Sequence, residues 1–97
     1  MPYVARHPGS GQVWTSILTN SYKLEYYGVK YWDFEEDALA QIHAYMADQN
    51  AADADGWAVF EVEEAQLKRY NVKLKNNPQL ILFTDETGLA DVRRRDV

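Results

Sequence analysis

The sequence predicts a small α+β fold, in which an antiparallel or mixed sheet of β-β-α-β-α-β order carries one main helix packed on one face. Two observations lead to this prediction. Aromatic and β-branched residues fill positions 12–32 and return in short runs at 57–62 and 80–83, as they do in strands. Apolar residues between 33 and 50 recur instead at helical spacing.

A chain of 97 residues has enough interior for one hydrophobic core, and the absence of cysteine removes disulfides. We predict a single domain over residues 12–88. The run HPGSG at 7–11 resists regular structure, so residues 1–11 are expected to form a flexible N-terminal arm. Residues 89–97 are expected to form a C-terminal tail.

Residues 12–18 and 22–32 predict an antiparallel hairpin, because the TNS sequence between them has the chemistry of a turn. Along the second strand the apolar alternation changes phase after Gly28. A glycine inside a strand often marks a bulge, which adds one residue and swaps the two faces. We therefore predict a bulge or tight bend at Gly28.

The second strand is rich in tyrosine, which tolerates partial exposure because its hydroxyl can stay hydrated. A single helix covers only one face of a sheet, so some of these rings are expected on the open face, where they would form a contact surface. Ordinary amphipathic strand composition is the alternative explanation. The rings concerned are those of Tyr22, Tyr26, Tyr27 and Tyr31.

Residues 33–50 predict the main helix. Asp33 can cap its first free amides, and Glu36, three residues later, completes a pattern like a capping box. Further acids in the first turn suit the positive end of the helix dipole. The residues expected to form the buried stripe are Ala38, Leu39, Ile42, Tyr45, Met46 and Gln49.

The second half of the chain predicts shorter elements. Residues 57–62 are expected to form a strand, and 63–70 a short helix. Residues 72–75 predict a brief edge strand whose lysines discourage association between sheets. The continuous apolar run at 80–83 is typical of a strand that is buried on both faces.

No residue pattern in the chain carries a recognisable catalytic or metal site. His43 lies at the edge of the apolar stripe, where we interpret it as a packing residue. Residues 53–56 (DADG) resemble the middle of an EF-hand loop, but Ala51 and Val62 occupy the positions of its first and last ligands, so a turn explains them better. We predict a protein that is not an enzyme, with no catalytic residues, no metal and no cofactor.

Charge is distributed unevenly. The segment from Asp33 to Glu64 contains ten acids and neither lysine nor arginine, while the rest of the chain contains five acids and all ten basic residues. The molecule is therefore expected to be electrically two-sided. Solvated surface charge explains such a run as well, since exposed charged residues mostly serve solubility.

These features predict a small acidic interaction or regulatory module that docks on a basic surface of another protein. A sharper version is an inhibitor that occupies a nucleic-acid-binding groove, with carboxylates spaced like backbone phosphates. Small acidic inhibitors of this type occur among phage and mobile-element proteins, an analogy of size and charge. The residues expected to contact the partner are the acids Glu35, Glu36, Asp48, Asp53 and Asp55, together with the tyrosines Tyr22, Tyr26, Tyr27 and Tyr31.

Two other functions stay open from the sequence. One is a self-associating structural protein, a homo-oligomer that pairs through its tyrosine-rich sheet face or an edge. The other is a small enzyme in which His43 lies beside a carboxylate. Direct nucleic-acid binding is not expected, because the acidic segment repels phosphate. With no signal peptide and no membrane span predicted, we expect a soluble, cytoplasmic protein.

Overall fold

A computed structural model describes residues 1–95. In this part of the chain two α-helices pack on antiparallel β-structure, which confirms the predicted α+β class. The elements are β1 (Tyr3–Arg6), β2 (Gln12–Val13), β3 (Thr15–Thr19), β4 (Glu25–Val29), β5 (Tyr31–Trp32), α1 (Glu35–Asp48), β6 (Ala58–Glu61), α2 (Glu64–Leu74), β7 (Leu80–Thr84) and β8 (Ala90–Arg94), with a 3₁₀ turn at Ala54–Gly56.

Strand β1 lies at the centre of the main sheet. Strand β6 pairs with it along its whole length, while β5 and β2 share its other edge, and the sheet continues from β2 through β7 to β8. Val4 and Ala5 are fully buried. The prediction of a flexible arm over residues 1–11 is therefore wrong. The HPGSG run is a turn that joins β1 to β2, with the Gly11 N–H donating to the His7 carbonyl.

The C-terminal part of the chain also belongs to the sheet. Strand β8 pairs antiparallel with β7 over five consecutive residues, from Ala90 to Arg94. The predicted tail at 89–97 is therefore wrong up to Arg94, and positions 96 and 97 lie outside the described residues. Asp85 makes the connecting turn, because its carboxylate accepts hydrogen bonds from Thr87 and from the Leu89 N–H.

The two helices lie on opposite faces of the sheet. Val4 belongs to a core cluster with Tyr70 and Leu74 of α2, whereas the adjacent Ala5 belongs to a second cluster with Ile42 of α1. Neighbouring residues of a strand point to opposite faces, so β1 separates two cores. Helix α2 thus covers the face of the sheet that was predicted to be open.

Helix α2 is longer than predicted and includes the segment interpreted as an edge strand. A capping box between Glu63 and Gln66 begins it, and Lys75 in the left-handed conformation ends it. Residues 72–75 therefore form its last turn rather than a strand. Within that turn Leu74 is fully buried while Val72 is exposed, which is the alternation of a helix surface.

Strand β4 runs without a bulge. Its pairing with β3 is continuous from Glu25 to Val29, so the predicted bulge at Gly28 is wrong. The apparent change of phase arose because positions 22–24 precede the strand. Gly28 is required for a close approach instead, since an added Cβ would lie 2.9 Å from the Asn71 side-chain oxygen that accepts the Val29 N–H.

Helix α1 begins at Glu35, two residues later than the predicted capping residue Asp33. Phe34 is its N-cap and makes no side-chain cap, so the three acids of the first turn favour the helix through its dipole alone. Ala38, Ile42 and Met46 form the buried stripe as predicted. Leu39, which was assigned to the same stripe, is instead exposed.

Gly11 is expected to be the most sensitive glycine of the sheet. Its φ is +80°, and an added Cβ would lie 2.5 Å from the Thr84 carbonyl oxygen on β7. Both the left-handed backbone and the backbone clash oppose a side chain, so Gly11→Ala should lower the free energy of unfolding by about 2–4 kcal/mol. Urea denaturation measures the change. The control is Gly9→Ala, where the nearest atoms belong to the His7 ring and the cost should stay below about 1 kcal/mol.

Candidate functional site

All ten acids between Asp33 and Glu64 are exposed. Among residues 1–95 the nitrogen–carboxylate contacts within 4 Å that involve them are made by histidine, His7 with Asp53 at 2.9 Å and His43 with Asp55 at 3.9 Å, and no lysine or arginine pairs with them. Glu61 accepts a hydrogen bond from the Tyr3 hydroxyl, which raises the pKa of that tyrosine. The carboxylates of this segment therefore make no direct ion pair with the described lysine and arginine side chains.

The acids concentrate in the layer that contains α1. The helix itself carries Glu35, Glu36, Asp37 and Asp48 and neither lysine nor arginine. The 3₁₀ turn that packs against it adds Asp55, and Asp53 is the N-cap of that turn. We call these six residues the acidic layer. Helix α2, which lies on the opposite face, has three basic residues and one acid, so the two sides of the sheet differ in charge.

Within the acidic layer the charges form two groups. Three carboxylates occupy the first turn of α1, and Asp48 lies at its other end, about 17 Å along the axis from Asp37 at 1.5 Å per residue. The contact between His43 and Asp55 places the 3₁₀ turn beside the C-terminal half of α1. Helix α1 thus presents two acidic ends rather than an evenly spaced row of carboxylates.

Lys30 is a basic residue on the same face as α1, and its ammonium lies against two aromatic rings. Its ammonium lies 4.8 Å from the ring centre of Trp32 and 5.0 Å from that of Tyr45. Burial in this position lowers the pKa of Lys30 from its ordinary value. Its contacts are with these two rings, and it makes no ion pair with a carboxylate of the acidic layer.

The predicted tyrosine surface is not formed. Tyr27 is only 5% exposed, and its hydroxyl donates to the Leu80 carbonyl and accepts from Arg95. Tyr27 is therefore a core residue, and its assignment to a partner contact is wrong. Tyr26 is half-buried, while Tyr22 in the turn and Tyr31 on β5 are exposed. Helix α2 covers the face on which a tyrosine patch was expected.

A groove that the sequence did not predict lies beside the β1–β2 turn. It measures about 400 Å³ and is bounded by His7, Trp14, Trp57 and the chain after α1. The histidine ring and the Trp14 ring both stand nearly perpendicular to Trp57, with centroids 5.3 and 5.5 Å from it. His7 was missed because it was assigned to a mobile arm. The signal present in the sequence was a tryptophan on either side of the main helix.

Comparison with known proteins does not assign a function. No family model, no curated protein and no solved structure matches this chain.

The remaining sites offer little chemistry. Over residues 1–95, no three His, Asp or Glu side chains converge where a metal ion could be held. His43 is exposed on α1 and does not line the groove beside the β1–β2 turn. Neither described helix has the length and apolar character needed to cross a bilayer.

Proposed function

We propose that the protein is a non-enzymatic interaction module that docks its acidic layer on a basic surface of a partner protein. The supporting observation is that the acids of this layer are all exposed and that no described lysine or arginine pairs with them. Uncompensated charge on one side produces a directional potential, which accelerates association with a surface of opposite charge.

The first turn of α1 supplies apolar contacts next to its acids. Phe34 and Leu39, each about 60% exposed, flank this turn, and Leu39 lies one helical turn after Glu35 and Glu36. Binding energy at interfaces is concentrated in apolar anchors surrounded by polar groups, whereas charges mainly govern orientation and association rate. This end of α1 combines both features, so we place the centre of the contact here.

The partner surface is expected to be one that ordinarily binds nucleic acid. Such surfaces carry clustered lysine and arginine, and an acidic protein that covers them acts as an inhibitor. Duplex DNA should then compete with the protein for its partner. The two acidic ends of α1 would contact two separate basic patches, about one helix length apart.

Neutralising α1 should slow partner association by about tenfold or more. The variant carries Glu35→Gln, Glu36→Gln, Asp37→Asn and Asp48→Asn. Immobilised full-length protein captures its partner from a lysate of the source organism, and the purified partner is then used to measure association rates at low and high salt. High salt should remove most of the difference, because screening weakens attraction between exposed charges.

A matched control removes the same four charges elsewhere. It carries Glu25→Gln, Glu64→Gln, Glu86→Gln and Asp91→Asn, all exposed and outside α1. Its association rate should fall by less than about threefold, because net charge changes equally but the acidic layer is intact. Equal losses in both variants, or an interaction that salt and duplex DNA leave unchanged, would contradict the proposed docking. Circular dichroism checks that both variants keep their helices.

Self-association is the second candidate function, and the hairpin of β3 and β4 supports it. Ile17 in the middle of β3, and Tyr22 and Leu24 in the connecting turn, are all more than half exposed, and a patch of large apolar side chains is a feature of interaction surfaces. A symmetric dimer would cover them. Sedimentation over a range of concentrations tests this candidate, and a monomer at every concentration removes it.

A further inference from the structure

The hairpin of β3 and β4 has one edge that the molecule itself covers. On β4, the Tyr27 N–H donates to the side-chain oxygen of Asn76 at 2.7 Å, and the Val29 N–H donates to that of Asn71 at 3.0 Å. Asn71 belongs to α2, and Asn76 follows its end. Two asparagine side chains thus replace the strand that would otherwise pair with β4.

The opposite edge of the hairpin, on β3, is open. The Lys30 N–H donates to the Trp14 carbonyl, and bonded positions alternate along an antiparallel ladder, so positions 16 and 18 also bond to β4. Thr15, Ile17 and Thr19 therefore direct their backbone groups away from β4. Thr15 is only 6% exposed, whereas Ile17 and Thr19 are exposed. Among residues 1–95, no other strand pairs with these two residues.

The open edge lacks the features that keep edge strands apart. Strand β3 has the sequence TSILT, with neither a charged residue nor a proline. By contrast, β6 ends in Glu61, and β8 carries Arg93 and Arg94. Charged side chains and proline oppose the addition of a further strand, because the first must be desolvated and the second lacks an N–H. Strand β3 is therefore suited to pairing with a strand from outside the chain.

The outward groups specify how a second copy of β3 would pair. When two copies run antiparallel with Leu18 on a two-fold axis, Ile17 of each copy lies opposite Thr19 of the other. Each of these two pairs exchanges two hydrogen bonds, so all outward N–H and C=O groups of both residues are satisfied. We propose that β3 pairs with β3 of a second copy in this register, which joins two hairpins into a four-stranded sheet.

Exposed apolar side chains favour a second copy over an unrelated strand. Tyr22 and Leu24 lie in the turn of the hairpin and are 82% and 63% exposed. In the proposed register position 20 of one copy lies opposite position 16 of the other, so each turn comes beside the beginning of the other copy's β3. A symmetric dimer thus covers apolar side chains at both ends of the paired strands. The pairing rests on the self-association candidate and specifies its contact.

Cysteine cross-linking tests the register, because the chain has no cysteine of its own. The full-length variants Ile17→Cys and Thr19→Cys are oxidised separately and mixed in equal amounts. Opposite Cα atoms of a bonded pair are about 5.5 Å apart, which a disulfide can span. Each variant alone places its two cysteines about 8 Å apart, which is too far. The mixed disulfide should therefore form about tenfold faster than either homodimer, as measured by mass spectrometry.

A second pair of variants separates backbone pairing from side-chain packing. Thr19→Pro removes an outward N–H from each copy, and so two of the four hydrogen bonds, without removing a large apolar side chain. It should weaken the dimer about tenfold or more in sedimentation experiments. The matched control Thr19→Val keeps the N–H and should change the affinity by less than about threefold. Circular dichroism checks that both variants stay folded.

The outcomes distinguish this pairing from the broader candidate. A monomer at every concentration overturns both. A dimer that Thr19→Pro leaves intact, or equal cross-linking of the mixture and the separate variants, overturns the β3 pairing while self-association through side chains stands. The variant with four amides on α1 should dimerise at least as well as the native chain, so the docking proposal is tested separately.

Discussion

Replacing Val4 by aspartate is expected to remove a large part of the free energy of unfolding. Val4 is fully buried in β1, between β6 on one edge and β5 on the other, and it packs in the same core cluster as Tyr70 and Leu74. An unpaired carboxylate in this position must be desolvated or protonated, at a cost of roughly 3–5 kcal/mol. That cost approaches the whole stability of a typical small domain, which is about 5–15 kcal/mol.

The matched control lies four residues along the chain. Pro8→Asp introduces the same charge on the exposed turn after β1 and should change stability by no more than about 1 kcal/mol. Urea denaturation followed by tryptophan fluorescence measures both variants. Equal, small effects at positions 4 and 8 would mean that the first residues are a mobile arm after all.

Leu74→Ala is expected to lower the free energy of unfolding by about 2–5 kcal/mol, whereas Val72→Ala should change it by less than about 0.5 kcal/mol. The difference follows from α2. Leu74 is fully buried at the end of the helix, and Val72 is 74% exposed on its other side. Alanine also has the higher helix propensity, which offsets part of the small loss at Val72.

This pair of variants distinguishes a helix from a strand at residues 72–75. Side chains at i and i+2 share one face of a strand but lie on different faces of a helix. Both variants are measured by urea denaturation, and the dependence of the free energy on urea concentration should be the same for each. Comparable losses of unfolding free energy at positions 72 and 74 would be incompatible with α2 reaching Leu74.

The elements that the sequence predicted well are those with a long periodic pattern. Over the 14 residues of α1, Ala38, Ile42 and Met46 repeat at the interval of a helix, so both its presence and its buried face could be read. Its N-cap was displaced by one residue, because Asp33 has the chemistry of a cap and yet Phe34 occupies that position. The capping preference of a residue alone does not determine which of two neighbouring positions becomes the N-cap.

The elements that were missed are short and depend on distant partners. Strand β1 has only four residues, and its burial comes from β2, β5 and β6, none of which is visible in its own sequence. The same reason hid the groove, because His7 and Asp53 are 46 residues apart and meet only in the folded chain. The prediction of a tyrosine surface was wrong for a related reason. The length of α2 determines which face of the sheet stays uncovered, and the sequence did not show that length.

Strand β1 contributes neighbouring residues to both cores, Val4 to the α2 side and Ala5 to the α1 side. Neither layer can open widely without disturbing the strand that the other requires. The two faces are therefore thermodynamically linked, and a molecule that binds one of them raises the melting temperature of the whole sheet. A partner bound at α1 would in this way also make local unfolding of α2 less favourable, without any movement of the backbone between them.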